Sequence, residues 1–337
     1  MTRMVEIKPK SNRSLPMIHL IVFVHGFEGT GHDFDNAELA IKSTFRELGE
    51  NVETFKVQAN SNFGGTYDGI ENGATRVWKD IMKRVKLLGG LLAKISIIGH
   101  SLGGLYARYL LRLLDDCFLF DHVEPHFFIT LATPHLSVRR MQSYPLDRAF
   151  QAIAQRVCQT TKELCLEDNP INPILYRMTD KSFLQVLGKF RHRILYSNVR
   201  NDFQVPYSTS SISIENPYVA DTSKCLKSSK YSDLTVWSLE NVINRLQLDI
   251  ERVDDFAKGD SRARLLRAMF IRLNELEWER FDCIFPTVFA HEQIINKRSL
   301  FPGKDVIRHL CERIAHHHID RYGVPEHGNH MNNVSSI

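Results

Sequence analysis

A serine inside a glycine-rich turn is the residue of this chain with the clearest chemical potential. Ser101 lies in the sequence GHSLGG (99–104), between an apolar run over 95–98 and a segment with helical spacing of leucines and tyrosines. A strand that turns sharply into a helix at the serine exposes its hydroxyl, and the flanking glycines leave room for that turn. The helix N-terminus adds free N–H groups and a partial positive charge, which suit a developing oxyanion. The segment therefore predicts a nucleophilic serine.

A serine hydroxyl becomes a good nucleophile when an imidazole removes its proton and a carboxylate orients the imidazole. For a serine at such a turn, the acid and then the histidine follow in the chain, each after the C-terminal end of a strand. Asp202 meets this condition, because it follows a predicted strand over 193–199. Asp168, Asp221 and Asp233 lie in insertion-like segments that no predicted strand precedes. We therefore expect Asp202 to be the acid.

The chain has fifteen histidines, so position must select the base. His291 directly follows an apolar run over 284–290 that we interpret as the last strand, with Pro286 placing this strand at the edge of the sheet. The competitors His309 and 316–318 lie in or after a final helix predicted over about 303–316. We therefore expect His291 to be the base.

Two backbone N–H groups are candidates for an oxyanion hole. One belongs to Leu102, the residue after the serine, and the other to Phe27 in the turn that follows the first strand. That turn has the sequence VHGF (24–27), in which Gly26 allows a tight bend. His25 in the same turn is expected to be a structural hydrogen-bonding residue and not a second base.

The elements that must position these residues form a regular α/β pattern. Predicted strands over 18–24, 52–57, 95–98, 126–131 and 193–199 alternate with helical segments over 36–48, 67–88 and after Ser101. This predicts a mostly parallel sheet of about six strands with helices on both faces. Lid-like helical insertions are expected at about 137–190 and 207–280, within a single domain over 17–322. Residues 1–16 are expected to be flexible and 323–337 to be a polar tail.

Composition limits the classes of function. Of 337 residues 43% are apolar, and the formal net charge of +4 is too small to indicate nucleic-acid binding. No apolar stretch approaches the roughly 18 residues of a transmembrane helix. Six cysteines without paired spacing favour free thiols, and so an intracellular, cytoplasmic protein with at most peripheral membrane contact.

No segment predicts a cofactor or a metal ion. The histidine-rich stretch over 309–330 lacks acidic or cysteine partners at ligand spacing. The pair Gly64-Gly65 is not followed by the Lys-Ser/Thr of a phosphate-binding loop. The pair Arg139-Arg140 is interpreted as a solvated charge pair, with contact to anionic lipid head groups as the alternative.

Four spaced segments together resemble the putative serine esterase family of lipase-like α/β-hydrolases. They are VHGFEG (24–29), GHSLGG (99–104), LATPH (131–135) and LYSNVRNDFQVP (195–206). The resemblance covers about 18–212 and is looser around His291. Residues 213–280 resemble no known segment of the family. One departure is Ser137, where the family usually has glycine. The resemblance implies the α/β-hydrolase fold, with Ser101 as nucleophile, Asp202 as acid and His291 as base.

The sequence thus predicts a serine hydrolase, and the resemblance implies a lipid acyl ester as substrate and contact with a membrane or lipid droplet. An acyltransferase using the same three residues is one alternative. A catalytically silent domain that binds a ligand, or that docks on a membrane through 207–280, is another.

Overall fold

The computed structural model describes residues 17–138, 158–218, 228–235, 261–297 and 303–322. The expectations for the N-terminal segment 1–16, for the tail 323–337, for Asp221 and for Arg139-Arg140 lie outside the described residues.

The core of the molecule is a sheet of seven strands in the order β2-β1-β3-β4-β5-β7-β6. The strands are β1 (Ile18–Val24), β2 (Val52–Lys56), β3 (Leu92–His100), β4 (Glu124–Leu131), β5 (His192–Asn198), β6 (Leu234–Thr235) and β7 (Glu279–Cys283). The first five strands and β7 are parallel, whereas the short β6 pairs antiparallel with β7. The prediction of a mostly parallel sheet of about six strands is therefore confirmed, and β6 is an addition to it.

Most of the helices lie between strands in the chain, and the last two follow the final strand. They are α1 (Asp35–Glu47), α2 (Ile70–Leu88), α3 (Leu102–Asp116), α4 (Gln159–Leu164), α5 (Ile174–Arg177), α6 (Lys181–Lys189), α7 (Tyr207–Ser210), α8 (Ser261–Asn274), α9 (Ala290–Gln293) and α10 (Lys304–Tyr322). In the predicted insertion regions, the described residues contain α4, α5 and α6 in the first and α7, β6 and α8 in the second.

Two apolar clusters cover the two faces of the sheet. One joins the sheet to α2, α3 and α8 and includes Val22, Val77, Leu110 and Phe270. The other joins it to α1 and α10 and includes Phe23, Ile41, Ile129 and Leu310. Because both faces are covered, a central strand such as β1 does not alternate, and all of its residues except His19 are apolar.

The predicted last strand over 284–290 is wrong. The strand is β7 (Glu279–Cys283), and α9 begins at Ala290. Pro286 therefore lies in the connection, and β7 is an inner strand between β5 and β6. The polar residues of β7 concealed it, although two of them are paired: Glu279 with Arg313, and Asp282 with the Tyr207 hydroxyl at 2.9 Å.

Candidate active site

The backbone at Ser101 has a strained conformation at the junction of β3 and α3. Its φ of 53° and ψ of −130° lie in a region that residues with a side chain rarely adopt. The Ser101 N–H donates to the Leu131 carbonyl at 2.9 Å, which ties the turn to the end of β4. This is the strand-to-helix turn that the sequence predicted.

Two glycines allow the close approach of backbone segments around Ser101. A Cβ atom added to Gly103 would lie 2.1 Å from the Val24 carbonyl oxygen, so α3 could not sit against the end of β1. A Cβ added to Gly26 would lie 2.8 Å from the Ser101 Cβ. The turn after β1 is therefore in direct contact with the serine.

Asp202 and His291 form a buried hydrogen-bonded pair. His291 Nδ1 donates to Asp202 Oδ2 at 2.9 Å, and the two residues are 5% and 7% exposed. The other Asp202 oxygen accepts the N–H groups of Gln204 at 3.1 Å and Val205 at 2.8 Å. Because Nδ1 carries the hydrogen in this bond, Nε2 is the basic nitrogen of the imidazole.

Each partner of this pair shifts the pKa of the other. Burial alone would raise the pKa of Asp202, but the charge and the hydrogen bond of His291 outweigh it, so the pKa is lowered. Burial alone would lower the pKa of His291, but the charge and the hydrogen bond of Asp202 outweigh it, so the pKa is raised. Both shifts favour a charged pair once the imidazole holds a second proton.

Two further side chains hold the segment that carries His291, and the sequence analysis missed both. His100 Nε2 donates to the His291 carbonyl at 2.8 Å. Asn198 Nδ2 donates to Asp202 Oδ2 at 2.8 Å and to the Ala290 carbonyl at 3.2 Å. Because His100 precedes Ser101, its hydrogen bond connects the nucleophile turn directly to the histidine segment.

The N–H groups of Phe27 and Leu102 are available as donors. In the described part of the chain neither has a hydrogen-bond acceptor. Leu102 is the first residue of α3, where a backbone N–H has no partner within the helix. Both residues adjoin Ser101, Leu102 in the chain and Phe27 through the contact of Gly26 with the serine.

A second loop supports the turn that carries Phe27. The Phe27 and Tyr67 rings stack with centroids 5.1 Å apart. The Glu28 N–H donates to Thr66 Oγ1 at 3.2 Å, and the Tyr67 hydroxyl donates to the Glu28 carboxylate. Glu28 itself has a φ of 49°, so these contacts hold a strained position. The orientation of the Phe27 N–H therefore depends on the loop after β2.

The competing candidates in the described residues have other contacts. Asp168 accepts the Ile174 N–H at 2.8 Å at the start of α5. His309 contacts the Tyr196 hydroxyl at 2.8 Å through Nδ1. His25 donates from Nδ1 to the Gly26 carbonyl at 3.0 Å and contacts Ser61 through Nε2, in line with its expected structural role.

Potential metal ligands converge elsewhere in the described residues. Two groups of side chains lie close enough to share an ion: His192, Glu279 and His317, and His316, His317 and Asp320. Neither group includes Ser101, Asp202 or His291. The chemistry that the site itself supports is transfer of an acyl group through a serine.

Comparison with known families identifies the family of this chain. Residues 16–213 match the family described as Putative serine esterase (DUF676). The chain belongs to this family. The match includes Ser101 and Asp202 and ends well before His291.

Relatives of this chain carry lipase names. Putative lipase YDL109C of Saccharomyces cerevisiae is 32% identical over 213 residues, which are 58% of this chain and 30% of the relative. A Schizosaccharomyces pombe protein named as a putative lipase is 29% identical over 217 residues, or 59% of this chain and 26% of the relative. The chain thus spans less than a third of the length of these curated relatives.

The fold is shared with solved structures of α/β-hydrolases. The peroxisomal alpha-beta-hydrolase Lpx1 of Saccharomyces cerevisiae superposes with a TM-score of 0.51 at 11% identity, covering 90% of this chain and 78% of that protein. At this identity the likeness establishes the fold alone. In the described residues, no helix has the length and apolar character needed to cross a membrane.

Proposed function

We propose that this protein is a serine hydrolase that cleaves acyl esters, with lipids as the substrate class. The observation that carries the proposal is the buried Asp202–His291 pair, hydrogen-bonded at 2.9 Å and tied through His100 to the strained Ser101 turn. A family of serine esterases and relatives named as lipases support the same class of reaction.

In the proposed reaction, the Ser101 hydroxyl attacks the ester carbonyl while His291 Nε2 takes its proton. The N–H groups of Phe27 and Leu102 stabilise the negative charge that develops on the carbonyl oxygen. The imidazolium, stabilised by Asp202, gives its proton to the departing alcohol, which leaves an acyl group on Ser101. Water, deprotonated by His291, then attacks the acyl-enzyme and releases the carboxylic acid.

Exposed apolar side chains around the site support a lipid substrate. They lie on loops that follow the C-terminal ends of strands, the edge at which Ser101 is located. This apolar rim consists of Phe27, Phe63, Phe203, Val288 and Phe289, which are 38%, 95%, 67%, 62% and 48% exposed. Exposed apolar groups at a site entrance are typical of contact with an apolar ligand or a lipid surface. We therefore propose that the apolar rim contacts the surface of a membrane or a lipid droplet.

The proposal is tested by assaying the purified protein against a panel of acylglycerols, lysophospholipids, phospholipids and a short-chain p-nitrophenyl ester. We expect ester hydrolysis that is lost in Ser101→Ala and retained in Ser43→Ala, an exposed serine of α1 whose side chain, among the described residues, hydrogen-bonds only to Glu47. A folded protein that cleaves none of these esters contradicts the proposal. Adding an alcohol acceptor separates the hydrolase from an acyltransferase, which would form a new ester in preference to free acid.

The contribution of the apolar rim is tested separately with vesicles. Phe63→Ser and Phe203→Ser are expected to weaken sedimentation with phospholipid vesicles and to leave hydrolysis of a soluble ester within about twofold. Unchanged vesicle binding would contradict the proposed contact, and vesicle binding without any esterase activity would favour a docking protein.

A further inference from the structure

A second cluster of chemically active side chains lies at the N-terminal ends of the strands, whereas the candidate active site lies at their C-terminal ends. His192 and Glu279 are the first residues of β5 and β7, and His317 on α10 packs over them. The rings of His192 and His317 have centroids 3.8 Å apart, and His317 Nε2 lies 2.5 Å from Glu279 Oε1. One potential ligand atom from each residue lies within 4.8 Å of the other two.

His192 packs against neighbouring rings but has no hydrogen-bond partner among the described residues. Its ring stacks on Phe127 with centroids 5.0 Å apart and lies against the His317 ring with centroids 3.8 Å apart. In the part of the chain that the structure describes, its ring nitrogens form no hydrogen bond, although the side chain is half-buried. A neutral imidazole at this position has one ring nitrogen with a free lone pair.

Glu279 is oriented so that one oxygen is directed to the histidine. Arg313 binds its Oε2 atom, through Nε at 3.1 Å and Nη2 at 2.7 Å, and leaves Oε1 to His317. A hydrogen-bonded carboxylate of this kind is typical of a metal ligand with an outer partner. The Arg313 Nη2 also lies 3.3 Å from His317 Nε2, so the guanidinium competes with any cation at this position.

We propose that His192, His317 and Glu279 bind a divalent transition-metal ion, for which Zn²⁺ is the best match. Two imidazoles and one carboxylate suit Zn²⁺, and water completes four-coordination. The ion takes the place of the hydrogen between His317 Nε2 and Glu279 Oε1, and the neutral imidazole then carries its hydrogen on Nδ1. The sequence analysis looked for acidic partners within 309–330, whereas the carboxylate and the second histidine come from β7 and β5.

The ion would act on stability and not on the esterase reaction. The seven residues of β5 separate His192 from the active-site edge by roughly 20 Å. A metal bound by β5, β7 and α10 fixes the C-terminal half of this helix against the sheet. Because an ion that binds the folded state stabilises it, Zn²⁺ raises the midpoint of thermal unfolding.

The test is equilibrium binding of Zn²⁺ to the tag-free full chain after chelator treatment, in competition with a chromophoric chelator. We expect one Zn²⁺ per chain and a rise of about 4 °C in the unfolding midpoint at a hundredfold excess over Kd. His192→Ala and Glu279→Gln are expected to weaken binding by at least tenfold.

His32→Ala is the matched control, because His32 is exposed and pairs with an aspartate three residues away. It is expected to leave Zn²⁺ binding unchanged. Absence of saturable binding by the folded wild-type chain overturns the proposal. Loss of binding in His316→Ala with retention in His192→Ala also overturns it, because that result assigns the ion to the exposed group with Asp320.

Discussion

At the scale of single residues, the role of Asp202 follows from its four hydrogen bonds. Two backbone N–H groups hold one oxygen, while Asn198 and His291 share the other. This network fixes the direction of the His291 ring, so Nε2 is the nitrogen available for the proposed transfer of the serine proton. A carboxylate that merely paired with a histidine at the surface would be neither so buried nor so fully bonded.

Replacing Asp202 with Asn should remove most of the activity and keep the fold. We expect kcat for ester hydrolysis to fall by about 10⁴-fold, because the amide no longer stabilises the imidazolium and can favour the wrong tautomer. Steady-state kinetics with a soluble ester measure the effect. The control is Asp168→Asn, a candidate acid outside the site, for which kcat within a few-fold of wild type is expected. Equal losses in the two variants would refute the assignment.

The dependence of kcat/KM on pH should report the His291 titration. Its pKa is raised above the ordinary 6.5, and the protonated imidazole cannot accept the serine proton. Activity therefore falls as the pH is lowered through this raised pKa. In Asp202→Asn, burial acts without the opposing charge, so the midpoint of the residual activity should move to lower pH. A midpoint that is unmoved in the variant would show that another group controls the profile.

The sequence was sufficient to propose residues whose positions depend on order and turn chemistry, but it missed residues whose contacts are with distant backbone. Ser101, Asp202 and His291 could be proposed because each follows a strand. His100 and Asn198 bind the carbonyl groups of His291 and Ala290, which are 191 and 92 residues away in the chain. No local pattern encodes such a contact.

At the scale of elements, the position of α3 depends on its contact with the end of β1. Gly103 is the residue at this contact, because an added Cβ would lie 2.1 Å from a carbonyl oxygen of that strand. The strain at Ser101 is maintained by the same packing. The helix α3 and the turn after β1 are therefore packed together and fix the positions of Ser101, Phe27 and Leu102 relative to one another.

Gly103→Ala should separate α3 from β1 and disturb this packing. We expect a loss of at least 1–3 kcal/mol in the free energy of unfolding, since the clash is with backbone, and a loss of esterase activity. Urea unfolding and ester hydrolysis measure the two effects. Gly188→Ala in α6 is the control. Its added Cβ meets only Leu276 at 3.5 Å, so a gain of about 0.5–1 kcal/mol is expected. Normal stability and activity in Gly103→Ala would contradict the proposed contact.

The last strand shows why one element escaped prediction. The polar residues of β7 resemble an exposed segment, but Glu279 and Asp282 have partners on α10 and after β5. Those partners become visible only when the chain is folded. His291 could nevertheless be proposed, because the wrongly predicted strand ended close to the loop that carries it.

At the scale of the whole molecule, histidines are concentrated near the N-terminal ends of the strands, away from the candidate site. His19, His126, His192 and His317 are linked by ring contacts between 3.8 and 5.6 Å. Burial, with neighbouring charged groups, lowers the pKa of His126 to about 3, and burial lowers that of His19. The folded state therefore holds the imidazoles of His19 and His126 neutral, whereas the unfolded chain protonates them near pH 6.5.

Acid should consequently destabilise the fold before its carboxylates titrate fully. Between about pH 6.5 and pH 4 the unfolded state binds more protons, so the free energy of unfolding falls as the pH is lowered, by at most about 1.4 kcal/mol per pH unit for each such histidine. Urea unfolding at several pH values with a chelator present measures this slope. His126→Gln should make it shallower and the exposed His32→Gln should not. A free energy of unfolding that does not change with pH over this range in wild type would contradict the prediction.

The global architecture was more predictable than its details, because hydrophobic patterning determines it. Apolar runs such as β1 require two covered faces, which dictates a parallel sheet between two helical layers. The two-residue β6 carries too little pattern to be recognised from sequence.

The central claim is that Ser101 is an activated nucleophile, and covalent labelling tests it most directly. The folded chain is treated with a fluorophosphonate, and the adduct is located by mass spectrometry of the intact protein and its peptides. We predict a single adduct on Ser101 that is absent in Ser101→Ala and forms at least a hundredfold more slowly in His291→Ala, because the serine then lacks its base. A folded wild-type chain that forms no adduct, or forms it on another serine, would contradict the claim.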